Sequence, residues 1–250
     1  MAGHSKWKNI QHRKGRQDAA KAKLFTKISK EIYQAARSGG ADPNTNSRLK
    51  TAIAKAKEAN IPNDNIERTL KKATGQLDGV TYEEIIYEGY GPGGVAVMVE
   101  ALTDNRNRTA ADIRHIFTKN GGNLGESGCV SFMFDRKGLI EISREDTDLD
   151  EDSVMMAALD AGAEDFEASE ESFEIKSSPE DFETVRTALE EAGYELDTAE
   201  ISMIPQNTIK LTGDDALKML KLMEMLESND DVQDVYANFD IDEEEMAKIQ

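Results

Sequence analysis

The sequence predicts an α+β protein: an N-terminal three-helix domain followed by two ferredoxin-like α/β domains, one inserted in the other. Three observations lead there. Apolar residues recur at helical spacing up to about Gly75, and after Asp78 the pattern changes to short β-branched and aromatic runs bounded by glycines. From Gly138 to Ile204 the segments then follow the order βαββαβ, the split βαβ arrangement, while the segments on either side of that stretch make up one further unit.

From Ala19 to Arg37, Leu24, Ile28, Ile32 and Ala35 fall at three- and four-residue spacing, and Lys23, Lys27, Lys30 and Arg37 occupy another stripe. This predicts an amphipathic helix with a cationic face. Gly39 and Gly40 end it, Pro43 and Asn44 turn the chain, and Leu49, Ile53 and Ala56 define a second helix reaching about Ala59 with Lys50 and Lys57 on its outer side. A third follows through Ile66, Leu70 and Ala73, with Asn63 expected as N-cap and Gly75 as the stop.

Tyr82 to Tyr87 and Val95 to Ala101 read as a strand pair joined by Gly89, Gly91, Pro92, Gly93 and Gly94. Asn107 to Lys119 is helical in period, and a strand is expected at Val130 to Phe134. The inserted series is strand Leu139–Ser143, helix Ser153–Ala161, strands near Phe166–Ala168 and Ser172–Ile175, helix Glu180–Ala192 and strand Glu200–Ile204. Thr208–Leu211, the helix Asp214–Leu226 and the strand Val232–Phe239 complete the interrupted unit. The expected domains are therefore 1–76, basic and helical; 77–135 plus 206–240, ferredoxin-like; 136–205, inserted; and 241–250, an acidic tail. From Asp240 onward the chain is poor in apolar residues and is expected to be loosely held.

Charge is divided along the same boundary. Residues 1–75 hold 17 Lys/Arg against 6 Asp/Glu and residues 76–250 hold 13 against 43, so the overall −19 conceals a basic module on an acidic body. Such asymmetry points to a polyanion-binding part. The longest strongly apolar run, Val95 to Val99, is too short to span a bilayer, and the basic start of the chain lacks the apolar core of a secretory signal. A cytoplasmic protein with no membrane partner is expected.

The first eighteen residues place Lys6, Lys8, Arg13, Lys14 and Arg16 around the single Trp7, a combination suited to a phosphate backbone with a base stacked on the indole. The same Trp7 suits packing back onto the bundle. Helices two and three admit a helix-turn-helix reading with Asn65, Arg68, Lys71 and Lys72 exposed, or equally a reader of shape and phosphate. A second cluster, Asp104 to Arg108, puts Arg106 and Arg108 at a helix N-terminus, where their charge opposes the helix dipole. They are expected either to grip phosphate or acidic side chains, or to be offset by Asp104 as a cap.

Other motifs point away from catalysis. The glycine loop 89–94 joins two strands, opens no helix, and lacks the Lys and Ser/Thr of a P-loop, so it reads as a tight turn. His4, His12 and His115 have no partners at metal-ligand spacing, the lone Cys129 reads as a small buried residue, and Met219, Met223 and Met225 read as packing. No metal, cofactor or catalytic residue is expected.

Five blocks, Met1–Trp7 (MAGHSKW), Leu24–Ile28 (LFTKI), Ile85–Gly94 (IIYEGYGPGG), Thr103–Thr109 (TDNRNRT) and Gly121–Gly125 (GGNLG), closely resemble the YebC family of bacterial regulators and their mitochondrial translational-activator relatives. Met203–Pro205 and Asp230–Asp240 fit as well. The resemblance implies three domains, no catalytic activity and a bacterial cytoplasmic protein without an import leader. It also implies one of two roles, a DNA-binding transcriptional regulator or a ribosome-associated factor that acts on ribosomal or transfer RNA and assists elongation at proline-rich stretches. By this resemblance, function is expected on the amino-terminal block, the Asn105–Arg108 cluster and the glycine loop, and the variable segment Glu141–Glu200 leaves the inserted domain without an assigned partner. The candidate nucleic-acid-binding residues are Lys6, Trp7, Lys8, Arg13, Lys14, Arg16, Lys23, Lys27, Lys30, Arg106 and Arg108. The expected partner is DNA or RNA, with the ribosome or another protein as a further candidate.

Overall fold

The computed structural model describes residue 7 and residues 18–75, 79–145 and 147–249. The fold is α+β: among residues 18–75 there are three helices, and mixed helix and antiparallel-sheet domains follow them. Residues 132–208 form one compact unit, and the chain before and after them forms the other.

Helices α1 (Asp18–Gly39), α2 (Ser47–Glu58) and α3 (Asn63–Thr74) close around Ile28, Ile32, Leu49, Ala52, Ala56, Ile61 and Ile66. Small alanines at Ala35, Ala36, Ala52 and Ala56 let the helix backbones approach. Asn46 locks the α1–α2 turn. Its Nδ2 donates to the carbonyls of Ala35 and Gly40, each at 2.8 Å, and its Oδ1 accepts from Leu49 N at 3.1 Å. One buried amide thus satisfies orphan groups at two helix ends. The expected cap of α3 is displaced by one residue: Asn63 is its first helical residue, and Pro62 stands at the cap position and offers its carbonyl to Asn65 N and Ile66 N.

In the same unit, strands β1 (Glu83–Tyr90), β2 (Ala96–Thr103), β3 (Asn123–Leu124) and β9 (Val232–Ala237) make an antiparallel sheet in the order β3-β1-β2-β9. Helices α4 (Arg106–Lys119) and α7 (Gly213–Ser228) pack on it through Ile113, Phe117, Met219, Leu222, Met223 and Leu226, against Val97, Val99 and Val235. Burying side chains of this size stabilises by about 1.5–3 kcal/mol each. The β1–β2 loop is the turn its glycines suggest, with Gly93 and Gly94 at φ 71° and 78°. A Cβ on Gly93 would fall 2.6 Å from Leu211 Cδ2, so this position is closed to other residues by both conformation and space. Strands β8 (Ile209–Lys210) and β10 (Phe239–Asp240) form a short parallel pair.

Two expectations are corrected in this unit. Val130 to Met133 is not a strand, and only Phe134 of the expected segment is extended, as the first residue of the next strand; the strand directly after α4 is β3, and residues 128–131 wrap around Glu88. That carboxylate is 6% exposed and accepts the backbone N–H groups of Gly128, Val130 and Ser131, which removes those donors from any ladder. Burial works against its charge, but these three bonds outweigh it and hold the carboxyl below its ordinary range. The acidic end of the chain is not loosely held either. It forms helix α8 (Glu243–Ile249), anchored by buried Ile241 and Met246 and by Ile249 against the core, while Glu245 accepts from Gly213 N at 3.2 Å. Three apolar residues on one side suffice for a short helix to dock.

The unit of residues 132–208 contains β4 (Phe134–Ser143), α5 (Glu151–Asp160), β5 (Asp165–Ala168), β6 (Ser172–Ser177), α6 (Phe182–Glu191) and β7 (Thr198–Pro205). Its strands lie in the antiparallel order β5-β6-β4-β7 expected of a split βαβ. Ile140, Ile142, Phe173 and Ile175 on the sheet meet Val154, Ala158, Val185 and Leu189 on the helices. Among the described residues no helix is long and apolar enough to cross a membrane, and no group of His, Cys, Asp and Glu is arranged to hold a metal ion. Cys129 is only partly buried, and burial together with nearby Glu88 raises its thiol pKa.

Candidate nucleic-acid interface

The cationic stripe of α1 caps a helix. Lys23, Lys27 and Lys30 lie at four- and three-residue spacing, so all three project from one side of α1 toward the C-terminal end of α7. Lys23 Nζ donates to the Ser228 carbonyl at 2.8 Å, Lys27 Nζ to the Glu227 carbonyl, and Lys30 Nζ to the Asp230 carbonyl at 3.1 Å and to Asp231 Oδ1 at 3.1 Å. The last carbonyls of a helix lack intrahelical partners and carry its negative dipole end, so cations there are favourable by about 0.3–1 kcal/mol each. Burial lowers the pKa of Lys27 despite the neighbouring Glu227, Asp234 and Asp230 carboxylates. Trp7 joins the same seam: its indole packs on the core under α7, and its Nε1 donates to Glu227 Oε2 at 3.0 Å.

The Asn105–Arg108 cluster meets this seam from the other side. Asn105 caps α4 by accepting from Arg108 N at 3.1 Å, which leaves the two arginine side chains to different tasks. Arg108 Nη2 reaches Asp231 Oδ2 at 3.0 Å and Asp104 Oδ1 at 2.9 Å, whereas Arg106 points outward, 3.5 Å from Glu83 Oε2. Asp231, 5% exposed, also accepts from Thr109 Oγ1 at 2.9 Å. Burial alone would raise its pKa, but hydrogen bonds from Arg108, Lys30 and Thr109 lower it, and the carboxylates of Asp231 and Asp104 raise the pKa of Arg108. Asp231 and Glu227 thus organise the seam, and neither is among the candidate residues read from the sequence; the signal there is the Asn-Asp-Asp run directly after the α7 periodicity, which opens the Asp230–Asp240 block.

The structure therefore brings Trp7, Lys23, Lys27, Lys30 and Arg108 together, but around residues 227–231 of their own chain. Arg106 stands apart on the surface. Lys6, Lys8, Arg13, Lys14 and Arg16 lie outside the described residues, as do His4 and His12.

A different cationic surface is left exposed. Lys50, Lys55 and Lys57 on α2 and Arg68, Lys71 and Lys72 on α3 are exposed, with no carboxylate within 4.0 Å of their charged atoms among the described residues. In a chain with 49 acidic residues, six such cations on two adjacent helices form a phosphate-compatible field. Arg48, on the inner side of α2, is committed instead to Glu31 at 2.7 Å and Glu84 at 2.5 Å.

Comparison with known proteins covers nearly the whole chain. Residues 5–76 match the model described as the TACO1/YebC protein N-terminal domain, and residues 82–239 match the TACO1/YebC second and third domain. A protein from Anoxybacillus flavithermus, named a probable transcriptional regulatory protein, is 62% identical over 96% of this chain and 98% of its own length. One of the same description from Geobacter sulfurreducens is 58% identical over the full length of both chains. The crystal structure of a conserved hypothetical protein from Aquifex aeolicus superposes with a TM-score of 0.80 at 49% identity, covering 90% of this chain and 93% of that one. With both family models matched in sequence order and relatives this similar over nearly their entire length, the chain belongs to the TACO1/YebC family.

Proposed function

We propose that the protein is a noncatalytic nucleic-acid-binding regulator of gene expression whose helical module grips phosphate while the acidic α/β domains limit docking to that face. The observation that carries this reading is the set of exposed cations on α2 and α3 with no carboxylate within 4.0 Å among the described residues, in a chain of net charge −19. Relatives named probable transcriptional regulatory proteins support a regulatory role. Lys6, Lys8, Arg13, Lys14 and Arg16 add further basic charge to the sequence of the same module. Lys23, Lys27, Lys30 and Arg108 serve it by fixing the module to the body, and Arg106 adds an outward charge.

Fluorescence anisotropy with labelled duplex DNA and single-stranded RNA, over a range of salt, tests this reading. Binding to duplex is expected to weaken with a log–log slope of about −0.9 per phosphate contact and single-strand binding with about −0.7. Lys50→Ala with Lys57→Ala is expected to flatten the slope by about one to two contacts. Absence of binding to either nucleic acid at low salt refutes the proposal. A promoter preference over random duplex assigns transcription as the level of control. Co-sedimentation with ribosomes that survives nuclease treatment assigns translation, including assistance at proline-rich stretches.

A further inference from the structure

An open concavity of about 460 Å³ lies on the helical module, lined by Tyr33 of α1, by Arg68, Lys71 and Lys72 of α3, and by Gly75, Gly79 and Val80. We propose that this cavity is a pocket for one unpaired nucleotide of a single strand, its phosphate held by Arg68, Lys71 and Lys72 and its base or sugar set against Val80. The inference rests on the nucleic-acid-binding reading above and specifies the form of strand.

Four observations support it. Arg68, Lys71 and Lys72 stand at positions i, i+3 and i+4, so they share one face of α3, where like charges cost helix stability. Lys71 and Lys72 are in the last turn, where the helix dipole offsets that cost, but Arg68 is a turn earlier and gains little from it. Although Asp64 stands one turn earlier at i−4, Arg68 is exposed with no carboxylate within 4.0 Å among the described residues, which leaves its guanidinium open to an anion from outside. Val80 is 48% exposed at the rim, an apolar contact suited to the edge or face of a base.

The other two observations concern shape. The pocket floor is pre-built: the Tyr33 ring meets Tyr82 edge-on at 5.7 Å, and its hydroxyl accepts from Arg37 Nη1 at 3.3 Å. A floor fixed before binding adds no ordering cost when the ligand arrives. The volume is in the range of small-ligand sites, larger than a bare phosphate fills, and a concavity of this size admits an unstacked nucleotide but not a base pair held within a duplex.

The test uses the full-length protein, a labelled single-stranded oligonucleotide, and the same sequence as a duplex. Arg68→Ala/Lys71→Ala/Lys72→Ala removes the phosphate grip, and Val80→Trp fills the cavity while keeping every cation; unchanged circular dichroism and thermal midpoint establish that each variant is folded. The triple variant is expected to weaken single-strand binding about tenfold or more, the counterion contribution of about two phosphate contacts near physiological salt, and Val80→Trp to weaken it several-fold by excluding the nucleotide, each with a smaller effect on duplex. Competition separates the sources of the ligand: displacement by unlabelled oligonucleotide but not by millimolar adenosine monophosphate identifies a strand, and equal displacement by both identifies a free nucleotide in the same pocket. Unchanged single-strand binding by Val80→Trp, with the triple variant weakening single strand and duplex alike, overturns the pocket and leaves the wider phosphate-binding face standing. Loss of no affinity in the triple variant or in the Lys50/Lys57 variant overturns both.

Discussion

Glu100 is the side chain whose replacement should raise stability most clearly, and the effect should depend on pH. It lies in the middle of β2, opposite Asp234 on β9 and Ile86 on β1, facing the helical module. Burial is the largest influence on it; Asp234, Glu31 and Glu84 add like charge, and only Lys55 acts in the other direction. Together they push its carboxyl from 4.5 up to about 7. At 1.36 kcal/mol per pH unit, the difference of about 2.5 units corresponds to about 3 kcal/mol. The sign follows from proton binding. Between pH 4.5 and 7 the folded protein holds a proton at Glu100 that the unfolded chain has released, so stability falls as pH rises through this window and levels off above it.

Glu100→Gln removes the titration while nearly preserving the shape. Its advantage over the native protein is expected to be near zero at pH 4.5, to grow through pH 7, and to reach about 3 kcal/mol by pH 8. Urea unfolding followed by the fluorescence of the only tryptophan reports on the right unit, because Trp7 packs on the core beneath α7. An advantage that is constant with pH, or a native protein that gains on the variant as pH rises, refutes the reasoning. So does a carboxyl resonance of Glu100 that titrates near 4.5.

Three further substitutions probe polar groups that close the fold. Asp231→Ala leaves Lys30, Arg108 and Thr109 without their shared partner and should cost about 3–5 kcal/mol at pH 7 in urea unfolding. Because the folded carboxyl has a lowered pKa, the deficit should shrink as pH falls through the acid range, and a deficit unchanged at pH 2–3 counts against the ion-pair account. Asn46→Ala removes three hydrogen bonds at two helix ends and should cost about 2–3 kcal/mol, and Asn46→Asp, which keeps the acceptor to Leu49 N but turns a carboxylate oxygen toward the carbonyls of Ala35 and Gly40, should cost at least as much at neutral pH; a smaller loss for Asp than for Ala would show that the cap to Leu49 N outweighs the two donor bonds. Glu88→Ala should expose the amides of Gly128, Val130 and Ser131 to rapid hydrogen exchange at a cost of about 2–3 kcal/mol, and retained protection would place their partner elsewhere.

The seam around Asp231 shows how charge alone misleads about position. A lysine stripe at residues 23, 27 and 30 looks the same in sequence whether it meets a phosphate backbone or the carbonyl end of another helix, since both are negative and both select spacing along one face. The partner that decides, residues 227–231, is some 200 positions away, and no local pattern connects the two. Glu88 is a similar case. Its three donors come from residues 128–131, so a segment with the composition of a strand is held as a loop by one distant carboxylate. Asn105 was legible as part of a charged cluster at a helix start, but its capping bond, and the separate directions of Arg106 and Arg108, required the geometry.

Periodicity by itself determined that the chain begins with three amphipathic helices, turns to strands after residue 78 and carries a βαββαβ series between Gly138 and Ile204, because side-chain burial imposes a 3.6- or 2-residue repeat on any segment that joins a core. Composition determined that the cations collect at one end of an acidic chain. Only the tertiary structure decided which of those cations are committed within the chain. Lys23, Lys27, Lys30 and Arg108 are held by a helix terminus and a buried carboxylate, since leaving either uncompensated away from water is costly, while Lys50, Lys57, Arg68, Lys71 and Lys72 have no carboxylate within 4.0 Å among the described residues and keep their charge available to a polyanion.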